Sequence, residues 1–217
     1  MAETINLLLS STLETLYMVF ASVFIASILG IPLGVLLMVT DKGQILQNEI
    51  LNKILSSIVN IFRSIPFVIL LIILIPFTRF LVGKSIGTTA AIVPLSIAAI
   101  PFLGRLVETA LREVNSGVIE AAQAMGASYM QIILKVLIPE ALPSIISGIT
   151  ITAINLIGYS AMAGVIGGGG LGDLAVRYGY QRFMLDIMLY TVAILVLMVQ
   201  LIQMIGDRIV KQISKYR

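Results

Sequence analysis

Three short patterns in this chain have the residue types and spacing of chemical or docking devices. Gly83-Lys84-Ser85 is the ending of a phosphate-cradling loop. The glycine that should open such a loop is replaced by Thr78, and the apolar residues before it have no strand context, so ATP binding there is not expected. Gly167, Gly169 and Gly172 satisfy the glycine spacing of a dinucleotide loop. That motif also needs a strand before it and a βαβ unit around it. An apolar, helix-like stretch stands there instead, which favours a flexible loop at the outer face, with a plain re-entrant connection as the simpler alternative. The third pattern is Glu120-Ala121-Ala122, followed by Gly126 and, thirteen residues later, Pro139. Small residues beside one carboxylate suit a helix seated in a partner's groove. The same residues also fit a hairpin that merely joins two helices, and on their own they leave both readings open.

Classical catalysis has little to work with. The chain has no cysteine, histidine or tryptophan, which excludes disulfides, thiolate chemistry, Ser-His-Asp triads and the common zinc sites. No catalytic residue and no metal ligand set is assigned. The net charge of +3 comes from scattered basic residues, without the basic face that nucleic acid requires.

What must position these residues is a membrane bundle. Of 217 residues, 59% are hydrophobic and only 12% charged; a soluble domain carries roughly 25% charged residues. The mean hydropathy is +1.06. A helical span needs about 20 apolar residues, and the charge-poor stretches predict five, at about 13–39, 56–79, 86–108, 140–165 and 184–207, within a single permease-like domain over 1–217. Gly30 and Gly34 bracket Pro32 in the first span, a close-packing motif with a proline kink. The N-terminal stretch carries Glu3 and Glu14 and no Lys or Arg, so a cleaved signal peptide is not expected.

Lys and Arg set the orientation. Alternating the loops places Lys42, Lys53, Arg63, Arg105, Arg112, Lys135, Arg208, Lys211, Lys215 and Arg217 on one side, and only Arg79, Lys84, Arg177 and Arg182 on the other. The richer side is read as cytoplasmic, with the N-terminus outside and the C-terminus inside. The third pattern then lies in a cytoplasmic loop, where the residues predict two short helices within about 115–138. Asn115 or Ser116 caps the first, Gly126 stops it, and Ser128 with Gln131 forms a capping box for the second. Pro139 ends that helix or starts the next span.

Polar groups within spans mark helix contacts or a pathway. Asn155 and Tyr159 share a helix face, and with Ser160 and Ser96 they are the pathway candidates. The alternative is hydrogen bonding between helices. Among charged residues only Arg63 is placed deep in a span.

The spacing from Glu120 through Gly126 to Val136, Ile138 and Pro139 resembles the EAA loop of bacterial ABC importer permeases. The longer motifs Arg63-Ser64-Ile65-Pro66-Phe67 and Gly167 to Phe183 are similar to the methionine-uptake branch of that family. The resemblance implies an all-α inner-membrane subunit of the type I importer kind. It would form the methionine pathway with a second copy of itself. Glu120, Ala121, Ala122, Gly126 and Pro139 would couple to two ATPase subunits, and a substrate-binding protein would work on the outer side. ATP and magnesium would belong to the ATPase, with no cofactor in this chain. The alternatives are the same architecture for another amino acid or an osmolyte, and a channel or transporter that works without ATP.

Overall fold

The computed structural model describes residues 2–215; Arg217, one of the basic residues used for orientation, lies outside them. The longest apolar stretch becomes α1 (Ala2–Val39), which runs past Pro32 without a break. One flank of it, Ile5, Leu9, Leu13, Phe20, Phe24 and Ile28, is more than half exposed. Large side chains at this helical spacing have no counterpart on a water-facing helix and suit a lipid-facing one. The opposite flank packs on α5 (Thr88–Arg112). Gly30 and Gly34 make that crossing close: a Cβ on Gly34 would stand 2.5 Å from the carbonyl oxygen of Gly104 and 2.6 Å from Val107 Cβ.

The second apolar stretch is not the continuous span over 56–79 that its composition suggests. It breaks into α2 (Glu49–Ser64), α3 (Phe67–Ile73) and α4 (Ile75–Val82), and the chain turns by 102° between α2 and α3. Pro66 is the cause. A residue before proline is pushed out of the helical region, and Ile65 adopts φ −79°, ψ 123°. Pro76 then sits in the first turn of α4, where its missing N–H costs nothing.

Among the described residues, four helices are each long and apolar enough to cross a membrane, and five spans result if the bent α2–α3 pair is one of them. The fourth begins earlier than 140. From α7 (Tyr129–Ile132), through a π-helical turn at Ile133–Leu137, into α8 (Ile138–Val165), the backbone is helical throughout. Pro139 therefore neither ends a helix nor starts one after a gap. Proline clashes with the carbonyl four residues back, and the wider π turn displaces the backbone just ahead of it. After α8 come α9 (Gly170–Leu174), a second π turn (Ala175–Tyr180) and α10 (Leu185–Ser214). Here α10 packs on α8, and a Cβ on Gly206 would lie 2.3 Å from Thr150 Oγ1.

The core runs along the α1–α5–α8 contact, with Met18, Leu95, Leu103, Val107, Leu156 and Leu171 nearly inaccessible. Replacing Gly34 by leucine should force α1 and α5 apart. Overpacking of this kind costs about 1–3 kcal/mol, so detergent-purified G34L should melt several degrees below the parent chain in a thermal unfolding assay.

Candidate functional site

The predicted hairpin forms as α6 (Ser116–Ala124) and α7. Asn115 is the cap of α6, its side-chain oxygen accepting the Gly117 N–H at 2.8 Å. Gly126 stops the helix with φ +79°. There the Ala127 N–H reaches the Ala122 carbonyl (3.1 Å) and the Gly126 N–H reaches that of Gln123 (2.9 Å), the paired bonds of a Schellman turn. Ser128 and Gln131 exchange the two bonds of a capping box, 2.8 and 3.4 Å.

The face this hairpin presents differs from the small-residue surface read in the sequence. Ala122 points inward with Ile119 and packs on the core, whereas Glu120, Ala121 and Ala124 point outward. Met125, Tyr129, Met130 and Leu134 stand exposed beside them. The result is a ridge of one carboxylate, two alanines and flexible apolar side chains. Methionine is suited to adapting to a partner surface.

An ion-pair network holds the base of α5 close to this hairpin. The Arg112 guanidinium contacts Asp41 Oδ2 at 2.6 Å and Glu108 Oε1 at 2.7 Å. Arg105 pairs with Glu108 at 2.5 Å and donates to Asn60 Oδ1 of α2 at 2.9 Å. Buried Glu108 thus shares two cations, and α2, α5 and the α1–α2 loop are joined through them. The hydrogen bond from Arg112 holds the Asp41 carboxyl below its ordinary value of 3.8.

The pathway candidates are dispersed. Tyr159 stacks on Phe67 of α3, with ring centroids 4.5 Å apart and planes within 3°. Ser160 is buried and its hydroxyl donates to the Ile157 carbonyl at 2.7 Å. Ser96 is buried in α5, its hydroxyl unpaired among the described residues. Asn155 is exposed one turn before Tyr159. A cavity of about 190 Å³ opens at the α2–α3 corner, lined by Phe62, Arg63, Ile65, Phe67, Leu70, Ala98, Phe102 and Tyr159. Of the four candidates, Tyr159 alone lines it.

The glycine-rich segment is not a loose loop. Gly167, Gly169 and Gly170 all have positive φ. A Cβ on Gly172 would lie 2.4 Å from Ala161 Cα, and one on Gly164 would lie 2.3 Å from the Asp173 nitrogen. Only bare backbone lets α9 fold back so closely on the end of α8. Glu14 Oε2 accepts the Gly170 N–H at 2.7 Å and Thr15 Oγ1 accepts that of Leu171 at 2.9 Å. Buried Asp173 pairs with Arg177. The start of α5 meets this fold, since the Gly87 N–H donates to the Gly167 carbonyl at 3.1 Å. Sequence reasoning missed the role of Glu14; the available signal was a carboxylate well inside a long, mostly apolar helix, eleven residues after Glu3.

The sequence profile of the family described as binding-protein-dependent transport system inner membrane component matches residues 26–215, which include the hairpin, the corner cavity and the glycine fold. This chain belongs to that family. The permease is 55% identical over 209 residues to the probable D-methionine transport system permease protein MetI of Vibrio cholerae, covering 96% of this chain and 93% of that one. It is 52% identical over 206 residues to the methionine import system permease protein MetP of Bacillus subtilis, covering 95% and 93%. Its fold matches a chain from inward-facing conformations of the MetNI methionine ABC transporter with a TM-score of 0.97 and 52% identity, over 98% and 99% of the two chains. A chain of an amino acid ABC transporter crystallised with histidines shares the fold at 21% identity and a TM-score of 0.80, over 98% and 96%.

Two predictions concern the hairpin and its base. Nothing lies within 4 Å of a Cβ built on Gly126, so the obstacle there is backbone conformation and not bulk. Asparagine tolerates positive φ and β-branched residues do not; G126N should keep transport near the parent level and G126V should cut it severely while still inserting, as measured by uptake and by membrane-fraction yield. The Asp41 contribution should be constant near neutral pH. A carboxylate with a lowered pKa gives stability that is present above the unfolded value and lost as pH falls through the folded one. D41N should therefore melt below the parent at pH 7, and the gap should close only below pH 3.8.

Proposed function

We propose that this permease forms the membrane pathway of an ATP-driven methionine importer. It would work as a pair of identical chains with two ATPase subunits on the hairpin side and a substrate-binding protein on the other. The observation that carries this reading is the hairpin itself. Its turn chemistry fixes Glu120 and Ala121 outward beside Met125, Tyr129 and Met130, as a docking ridge needs. ATP and magnesium belong to the ATPase, and this chain supplies the pathway and the coupling surface. On this reading Glu120, Ala121 and the turn at Gly126 engage the ATPase, while Ala122 holds α6 onto the bundle. Pro139 lies in the first turn of α8, and the π turn ahead of it keeps the hairpin continuous with that helix. The hairpin side is cytoplasmic, in keeping with the Lys and Arg distribution, so the glycine fold and the α4–α5 connection face outward.

Methionine is supported by the relatives' identity across nearly the whole chain. An apolar substrate also suits a pathway with few charged groups. The proposal is tested by reconstituting the permease with its ATPase and binding protein in proteoliposomes. Labelled methionine should accumulate only with ATP inside the compartment that holds the ATPase. Accumulation without ATP, or without the ATPase subunit, would show an independent carrier. ATP-dependent uptake of another amino acid in preference to methionine would keep the architecture and change the substrate.

A further inference from the structure

The cavity at the α2–α3 corner has a composition that helix packing does not explain. Its walls come from four elements: the end of α2, the start of α3, and the facing sides of α5 and α8. Most of the lining is apolar, with Phe62, Phe67, Phe102 and Tyr159 contributing four rings. One cation stands among them. Arg63 has no hydrogen bond or ion pair among the described residues, and none of the chain's acidic residues lines the cavity. Charged groups inside a span are expensive and normally pair or face water. The same chain shows the ordinary alternative, since Arg105 and Arg112 are both tied to carboxylates. Arg63 is an exposed residue of the last turn of α2, set beside the cavity just before the turn at Ile65 and Pro66.

An unpaired guanidinium next to a ring-lined hollow has the recognition chemistry of a small apolar amino acid. A guanidinium takes a carboxylate through paired charge-assisted hydrogen bonds. Aromatic edges and faces take an aliphatic or thioether side chain, sulfur included. The size agrees: an apolar cavity of about 150 Å³ accommodates benzene, and this one is about 190 Å³. The stack of Phe67 on Tyr159 ties α3 to α8 across the hollow, so one wall belongs to the helix that continues from the hairpin.

We propose that this cavity is a substrate-binding site within the permease. Arg63 holds the carboxylate of an apolar amino acid, and Phe62, Phe102 and Tyr159 surround its side chain. This rests on the importer reading above and adds a site in the membrane to it. The test uses the assembled permease–ATPase complex in lipid nanodiscs, without binding protein, and measures equilibrium retention of labelled methionine. Norleucine should compete. Methioninamide, which lacks the carboxylate, should compete about tenfold less well, the usual worth of a hydrogen bond to a charged group.

Arg63→Gln should weaken methionine retention by about tenfold and erase the difference between methionine and its amide; Arg63→Lys should retain part of both. Phe102→Trp should fill the hollow and abolish retention with Arg63 intact. Copurification of the ATPase in the parent ratio checks that each variant is assembled. The proposal is overturned if the assembled parent complex imports methionine in proteoliposomes yet retains none. It is equally overturned if R63Q binds and imports methionine as the parent does, or if the amide competes equally with the parent. If the parent imports a different amino acid, the methionine reading fails. Loss of that amino acid's retention in R63Q would then still support the site, and its persistence would overturn it.

Discussion

Hydrocarbon offers no hydrogen-bond partner to a peptide group, and much of this chain follows from that. Long helices meet the constraint internally, and α1 and α10 expose broad apolar flanks at no cost. Each departure from the regular α-helix at membrane depth then has to be covered by protein or opened to water. The chain departs from it in few places. They include the corner at Ile65 and Pro66, the break at Leu74, the π turns at Ile133–Leu137 and Ala175–Tyr180, and the glycine fold at 167–170. The functional features gather at these places. The fold at 167–170 is closed over by Glu14 and Thr15, which accept the N–H groups left at the start of α9. The corner is flanked by the cavity that Arg63 lines.

The small residues serve the same constraint in another way. Gly30, Gly34, Gly148, Gly164, Gly172 and Gly206 each sit where a Cβ would press on a neighbouring element. In lipid there is no hydrophobic drive between helices, and close van der Waals contact between backbones is what holds them together. Bundle stability and the shape of the glycine fold therefore depend on side chains that are absent.

Much of this was legible in the sequence. Hydropathy located the apolar stretches, and spacing located Asn115, Gly126 and the Ser128–Gln131 box, because caps and turns are local devices that depend on a few adjacent residues. What was not legible depends on contacts between distant segments. Pro66 announced a break, but whether a proline kinks a helix or turns it by 102° is decided by what packs around it; Pro32, Pro94 and Pro101 all sit inside continuous helices. Pro139 was read as ending one helix or starting the next because a π turn leaves no mark in hydropathy. The glycine run was read as a flexible loop or a plain re-entrant connection because composition cannot distinguish freedom from close approach. Ala122 was grouped with Ala121, although helical geometry turns adjacent residues by about 100° and only the surrounding core reveals which one is inside.

The unbroken backbone from Tyr129 to Val165 gives the permease a lever. The second arm of the hairpin and the helix that carries Tyr159 are one rod, with no intervening loop to absorb a displacement. At 1.5 Å per residue, the thirty residues from Tyr129 to Tyr159 span about 45 Å. A tilt of about 5° imposed at the hairpin end would carry Tyr159 sideways by roughly 4 Å over that length, close to the 4.5 Å that separates its ring from Phe67. The stack on Phe67 would have to slide or part. A partner gripping the hairpin thus has mechanical purchase on the far side of the molecule without touching it, and the π turn lets a proline ride in that rod without disconnecting it.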